Sequence, residues 1–350
     1  MKALYVRLSD SQFILEDIAR PCIGNNPYSP HDVIVSVEYC GICGTELMLY
    51  SSGFPKGLLN QKKVGLGHEF SGTVIETGPQ VKNLNPGDRV VGEVTTDPCG
   101  KCLFCMEGEN NFCKTAGAYM LYQGAYSKYL PIPARNLHLL PANISLEAGA
   151  LCQPLSLAVN ALKVVGKLQP LENVVILGPG PIGLLMVILA RFFGAGTVIV
   201  TGLEKDARRL KLAEDLGADR TVVVDKEDLQ KIVGDITEGR GADIALEIAG
   251  SADAVKSSVT VVRDCGRVVL IGAGYPSLEI DMAGQVMMRQ LAVLGCRGDP
   301  TPCWVEALRI LKSGKINLDP LISHVLSLEK WEEGFKLSMS GEALKVLIKP

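Results

Sequence analysis

The chain has 350 residues, 47% of them apolar and 21% charged, with a formal net charge of −3. That length exceeds one ordinary hydrophobic core, so two domains are expected, and the near-balanced charge gives no reason to expect nucleic acid or an anionic membrane as partner. No apolar run reaches the roughly 18–20 residues of a spanning helix; the longest, Ile182 to Phe193, is broken by Arg191, and the opening MKALYVRLSD is too polar for a secretory leader, so a cytoplasmic protein is expected.

From Met1 to about residue 150 the apolar signals are short. Alternating runs such as Val33–Val37 and Gly87–Val91, separated by Gly and Pro turns like Asn85–Asp88, read as a mostly antiparallel β domain. Within it, Cys40-Gly41-Ile42-Cys43-Gly44-Thr45-Glu46 gathers thiols, glycines, a hydroxyl and a carboxylate. Gly67-His68-Glu69 adds an imidazole and a second carboxylate, and Cys152-Gln153-Pro154 follows much later. Sulfur, nitrogen and oxygen donors from dispersed loops, with one position left open, are what a catalytic zinc site needs. Read alone, Cys43 is as ordinary a small buried hydrophobe and His68 as ordinary a core histidine, and both readings stay open.

Eleven cysteines is a high count, and in a reducing compartment clustered cysteines point to metal more often than to disulfides. Four of them, Cys99, Cys102, Cys105 and Cys113, have the spacing C-x2-C-x2-C-x7-C. Four thiolates close a tetrahedron around zinc and leave no position for substrate, so this site would be structural. An iron–sulfur cluster is the rival occupant, and zinc is the preferred one.

After residue 154 the pattern changes to strand–helix alternation. Val174–Leu177 reads as a buried strand, followed by Gly178-Pro179-Gly180-Pro181-Ile182-Gly183 and a helix to about Phe193 that Gly194 is placed to cap. A glycine fingerprint between strand and helix predicts a dinucleotide turn: Gly178 for the bend, Gly180 for close approach of backbone to a pyrophosphate, Gly183 for helix–strand packing, with Pro181 and Ile182 at the helix N-terminus. Further strands are expected at Val198–Thr201, Val222–Val224, Asp243–Ile248 and Arg267–Ile271. Past the second strand, Gly202 leaves room for a 2′-phosphate that Lys205, Arg208 and Arg209 would neutralise, whereas Glu204 would repel it, so the cofactor reads as NAD or NADP. Leu291–Gly295 reads as another strand, Trp304–Leu311 and Leu328–Met339 as amphipathic helices and Val346–Ile348 as a final strand, the last three returning to the first domain.

Taken in this order, Cys40–Glu46, Gly67-His-Glu-Phe-Ser-Gly72, the four-cysteine lobe, Gln153-Pro-Leu-Ser-Leu-Ala-Val159 and Gly178–Gly183 resemble the zinc-dependent medium-chain alcohol and polyol dehydrogenases along nearly the whole chain. Within that family the similarity is to the sorbitol, threonine and sugar dehydrogenases. The resemblance implies an α/β protein with three segments. A GroES-like, mostly β catalytic domain would cover residues 1–154, with its zinc lobe at about 95–115. A doubly wound Rossmann NAD(P)-binding domain would cover 155–296, and 297–350 would return to the catalytic domain. It also implies two zincs per subunit, one catalytic and one structural.

Carried over, Cys43 and His68 would be catalytic-zinc ligands and Glu69 a direct or alternate one. Gln153 stands where sorbitol dehydrogenases carry Glu and classical alcohol dehydrogenases carry Cys; an amide oxygen is a weaker donor, so looser zinc would follow. Cys152 is preferred as a core cysteine. Thr45 would relay the substrate's hydroxyl proton, and Glu46 would orient His68. Met48 and Asn160 depart from histidines common in relatives, so proton release would run through water, assisted by Glu69. Tyr50, Tyr119 and His324 are candidates for lining the substrate site, with ordinary packing or surface roles as alternatives. The implied reaction is hydride transfer between NAD(P) and a secondary alcohol of a polyol or sugar. The alternatives are an amino alcohol such as threonine, or a non-catalytic binding protein that keeps the fold. An edge strand at Leu291–Gly295 would pair with its mate in a homodimer or homotetramer.

Overall fold

A computed structural model describes residues 1–23, 29–53, 62–96, 98–118, 123–273 and 277–350. The chain divides into two units, Met1–Gln153 with Asp299–Pro350 and, separately, Pro154–Gly298. Tyr119 lies outside the described residues.

The β-branched run in Asp32–Gly41 builds the central strand of the first unit, and its near-continuous burial shows that both faces are covered. It belongs to a seven-stranded sheet whose spatial order is Leu137–Leu139, Arg89–Gly92, Glu69–Thr77, Asp32–Gly41, Lys345–Lys349 and Ile322–Ser327. Tyr129–Pro133 also pairs with the central strand. Gly41 lies opposite Glu69 on one neighbour and Leu347 on the other, so the register sets three distant segments side by side at one strand end. The final strand, whose partner Ile322–Ser327 runs parallel to it, brings the C-terminal segment into this unit.

A second, three-stranded sheet of Gln12–Asp17, Lys2–Arg7 and Lys63–Gly65 completes the β layer. Phe335, from the helix Trp331–Ser340, is fully buried and meets Tyr50 and Phe13 edge-on at ring separations of 5.5 and 5.7 Å. Tyr50 is thereby a packing residue, with its hydroxyl 3.3 Å from Glu332 Oε1.

The second unit is an all-parallel six-stranded sheet in the order Arg220–Val223, Val198–Gly202, Val174–Leu177, Ala242–Glu247, Val262–Leu270 and Ala292–Gly295. The chain steps from Val174–Leu177 outward on one side, then returns to its other side, which is the doubly wound arrangement. Val174–Leu177 is buried at all four positions, as a parallel strand covered on both faces must be. The strand expected at Arg267–Ile271 starts earlier, at Val262, directly after the helix Ala252–Val261. Its pairing with Ala242–Glu247 is irregular between Ala242 and Ile244, and Cys265 sits at φ 56°, so the extra residues are a distorted entry that apolar pattern alone does not mark.

The helix Pro181–Phe192 begins at Gly180, takes Pro at its first position and stops where Gly194 adopts φ 81°. The helix Cys152–Val159 continues as a π-helical turn over Asn160–Val165, where Asn160 Nδ2 donates to the Gly298 carbonyl at 2.8 Å.

Both tryptophans, Trp304 and Trp331, belong to the first unit, so fluorescence reports its unfolding. Phe335→Ala is expected to lower the stability of that unit by about 3–5 kcal/mol in urea denaturation, the cost of deleting a fully buried aromatic ring.

Candidate metal centres and nucleotide-binding turn

The first centre forms where the central strand ends at Gly41 and the helix Gly44–Ser52 begins. Glu46, in the first turn of that helix, is 1% exposed and reaches back to three groups. Its Oε2 accepts the Cys43 N–H at 3.0 Å, the helix-starting half of a capping box. Its Oε1 accepts the Gly67 N–H at 3.2 Å and lies 2.7 Å from His68 Nδ1, an ion-pair contact in which the oxygen stands off the ring's N–H direction. The carboxylate thus fixes Cys43 and His68 relative to one another. Ligand atoms of Cys43, His68 and Glu69 all lie within 4.8 Å of one another. Thr45 Oγ1 is 3.7 Å from Cys43 Sγ, at the exposed side of the same turn.

Burial works against a charged His68, but the neighbouring Glu46 and Cys43 outweigh it and hold the imidazole pKa well above its usual value. The imidazole is thus held among acidic groups at the point where Cys43 and Glu69 also converge. A soft sulfur, an imidazole braced by a carboxylate and a carboxylate oxygen are the donors that suit zinc.

Sequence reasoning missed Lys345. Its ammonium, 3% exposed, donates to Glu69 Oε2 at 2.6 Å and to the Ile42 carbonyl at 2.9 Å. Burial pushes its pKa down, and Glu69 more than reverses this. Gly41 makes room for the pair: a Cβ there would land on Glu69 Oε2 and stand 3.3 Å from Lys345 Cδ. Cys40 and Cys152 are fully buried; burial raises both thiols, Cys152 to about 12, which keeps them neutral core residues. Gln153 is buried at the start of its helix, within the first unit. Met48 is 44% exposed, and His324 Nδ1 is 3.0 Å from Ser323 Oγ.

The second centre is local. Sulfurs of Cys99, Cys102, Cys105 and Cys113 converge within 4.8 Å, and all four cysteines are free rather than disulfide-bonded. The Cys99 N–H donates to Cys113 Sγ and the Cys102 N–H to Cys99 Sγ, each at 3.3 Å. These amides favour thiolates and bring Cys113 down to about 5, whereas desolvation and its neighbouring thiols push Cys105 up to about 12. Four thiolates so close cannot all be ionised unless a cation lies among them, and a tetrahedral dication fits.

In the second unit, Gly178 has φ 120°, and a Cβ on it would stand 2.9 Å from the Ala249 nitrogen. Gly183 packs so tightly that a Cβ would overlap the Gly178 carbonyl oxygen, whereas nothing lies within 4 Å of one on Gly180. The turn is thus closed below and open above, at the N-terminus of a twelve-residue helix that starts Pro181-Ile182. Gly202 is closely bordered by protein: a Cβ there would meet Pro179 Cγ at 3.0 Å and Asp206 Cβ at 3.2 Å. Glu204 is exposed, its N–H donating to Asp225 Oδ1 at 3.0 Å and its carboxylate accepting from Lys226. Arg209 Nη1 lies 3.8 Å from Asp206 Oδ1, while Lys205 and Arg208 are exposed.

Residues 29–142 match the family model of the alcohol dehydrogenase GroES-like domain, and residues 181–313 that of the zinc-binding dehydrogenases. A sorbitol dehydrogenase of Halalkalibacterium halodurans is 33% identical over 100% of this chain and 99% of its own length. The chain belongs to the zinc-binding alcohol dehydrogenase family. A D-arabitol-phosphate dehydrogenase of Enterococcus avium, another member, is 36% identical over 90% of this chain and 89% of its own. The solved structure of a zinc-binding dehydrogenase from Sinorhizobium meliloti bound to NADP superimposes with a TM-score of 0.87 at 32% identity, covering 100% of this chain and 99% of that one. The GroES-like and Rossmann-type parts of this dehydrogenase are the two architectures described above.

Lys345→Met would leave Glu69 buried and uncompensated, an expected loss of about 3–5 kcal/mol in urea denaturation of zinc-depleted protein. Adding Glu69→Gln should recover most of it, and a single-variant loss below about 1 kcal/mol would show the pair to be screened by solvent.

Proposed function

We propose that this dehydrogenase interconverts a secondary alcohol of a polyol or sugar and its ketone, using NAD(P). The observation that carries this reading is the convergence of Cys43, His68 and Glu69 on one point, braced by Glu46, in a chain whose other unit ends a parallel strand in an open glycine turn. The similarity to the sorbitol and arabitol-phosphate enzymes supports a polyol over a simple alcohol.

In this reading Cys43 and His68 hold the catalytic zinc, with Glu69 and Gln153 as further oxygen donors, and the four lobe cysteines hold a structural zinc. When bound, zinc supplies Lewis-acid polarisation of the substrate oxygen and the nicotinamide supplies a hydride acceptor. Thr45, exposed beside Cys43, accepts the substrate's hydroxyl proton and hands it to water, since Met48 offers no imidazole. Glu46 keeps His68 oriented for its donor role. Gly178, Gly180 and Gly183 shape the turn, and the free N–H groups of the helix start, from Ile182 onward because Pro181 has none, receive the pyrophosphate. Gly202, Glu204 and Arg209 lie at the ribose end. We assign residues 1–154 and 297–350 to catalysis and 155–296 to the nucleotide.

We further propose that the protein works in the cytoplasm as a homodimer or homotetramer. All eleven cysteines are free, as a reducing compartment keeps them. No helix among the described residues is long and apolar enough to cross a membrane. Ala292–Gly295 is the edge of the parallel sheet and is mostly exposed, and a second copy of the same strand would satisfy its open backbone groups.

Metal analysis of purified protein should find two zincs per subunit and of Cys43→Ser one, with turnover lost; two zincs retained in the variant would refute the assignment of Cys43. A panel of polyols, sugars and threonine, assayed with NAD and NADP, should give turnover with a polyol or sugar. Turnover with threonine alone would transfer the assignment to amino alcohols. Sedimentation at micromolar concentration should show a dimer or tetramer that Val293→Lys, placing a charge on the edge strand, dissociates; a wild-type monomer overturns the pairing.

A further inference from the structure

Glu247 is the last residue of the strand Ala242–Glu247, in the middle of the parallel sheet and 0% exposed. Strands flank it on both sides, Leu177 lying opposite in one and Leu270 in the other. Its Oε1 accepts the Gly250 N–H at 2.7 Å, and the N–H groups of Ala249, Ser251 and Gly272 face the same carboxyl group. Its backbone carbonyl accepts from the N–H groups of Ile271 and Gly272 at 2.9 and 3.0 Å. One acid thus ties together two loops, residues 249–251 and 271–273, that leave the carboxyl ends of adjacent strands.

The two loops are in contact. A Cβ on Gly272 would lie 2.6 Å from Glu247 Oε2, and one on Gly250, at φ 70°, would lie 2.6 Å from the Ala273 carbonyl oxygen. The first loop also supports the glycine turn, because Gly178 rests against Ala249. An acid here is a poor choice for stability. Oε2 is buried with no hydrogen-bond partner among the described residues, and burial raises the group's pKa despite the surrounding amides. An apolar side chain would fill this volume without an unpaired oxygen. Held in place regardless, the group fixes backbone at the edge where a doubly wound sheet binds a dinucleotide.

We propose that Glu247 is a positioning residue for the nicotinamide half of the dinucleotide, holding loops 249–251 and 271–273 in the conformation that half requires. The inference rests on the dinucleotide reading above. With the adenosine ribose at the end of Val198–Gly202, the remainder of the ligand extends past Gly178 to the other side of the switch point, over the ends of Ala242–Glu247 and Val262–Leu270. Nothing in the spacing of Glu247 marks it as special, and its role is visible only from its partners.

The test compares two ligands on the zinc-loaded protein: the whole reduced cofactor, NADH or NADPH as the wild type prefers, and the matching ADP-ribose or its 2′-phosphate, which lacks nicotinamide. Glu247→Leu is expected to weaken cofactor binding, read by nicotinamide fluorescence, by about tenfold or more, the loss of a charge-assisted hydrogen bond to the loop. ADP-ribose binding, read by calorimetry, should stay within about twofold, and zinc content should not change. Glu247→Gln keeps the side-chain volume and an acceptor for Gly250 but sets an amide N–H2 among backbone N–H groups. It should show the same split at smaller size, and it decides the matter alone if the leucine variant does not fold. Equal weakening of both ligands, or no weakening of either, overturns the proposal. Wild-type protein that binds neither ligand overturns the dinucleotide reading and this inference with it.

Discussion

The first centre depends on charge neutralisation beneath a sheet end. Glu46 and Glu69 are each 1% exposed, and both stand near Cys43. Burying two carboxylates beside a thiol is unfavourable by several kcal/mol per ion unless each finds a cation or several N–H groups. Glu46 takes two backbone amides and the edge of His68; Glu69 takes Lys345. Once these needs are met, the rest of the local structure follows. Gly41 has no side chain because the ion pair crosses there, and Tyr126 donates its hydroxyl to the Gly41 carbonyl at 2.9 Å, closing the apolar side. Cys43, His68 and Glu69 then project from a frame that the sheet register holds, which is how a site on loops acquires fixed geometry.

Three of the acidic groupings among the described residues are balanced in three different ways, and the difference is informative. The Glu69 carboxylate is met by a full charge, a solution that needs a distant strand. The lobe sulfurs are met by amide N–H groups from their own loop and leave a tetrahedral gap for a cation. Glu247 is met by amides alone, and one oxygen is left over. The first two lie where donor atoms converge closely enough to hold a metal. In the third, the contacts run to backbone N–H groups, so the acid and the backbone around it hold one another.

What sequence made legible was local. Four cysteines within fifteen residues announce their own geometry, and Gly178–Gly183 announces a turn because strand, glycines and helix are adjacent in the chain. The seven-stranded sheet was legible only as short alternating runs, since its neighbours come from both ends of the chain. Lys345 was invisible for the same reason: it is 276 residues from Glu69, in a final strand that reads simply as apolar. Gly202 is less easily read. Its missing side chain reads in sequence as space for a phosphate, and in the structure Pro179, Asp206 and Leu210 border the same position. A glycine in sequence reports that something comes close without saying whether that something is ligand or protein.

The departures from relatives at Met48, Asn160 and Gln153 carry different weights once each is placed. Asn160 donates to the Gly298 carbonyl at the π-helical turn, so within its own unit it ties the segment entering the nucleotide-binding fold to the segment leaving it. That structural bond explains the amide without any reference to chemistry, and it removes Asn160 as a sign of lost turnover. Met48 is exposed at 44% on the helix that carries Thr45, so water reaches that position. Gln153 is buried, and in the proposed reading its amide oxygen is a weaker donor toward zinc than a carboxylate. In the proposed reading the remaining departures bear on the rate of proton release and the tightness of the metal, while Glu46, His68, Cys43 and Glu69 keep the close arrangement described above.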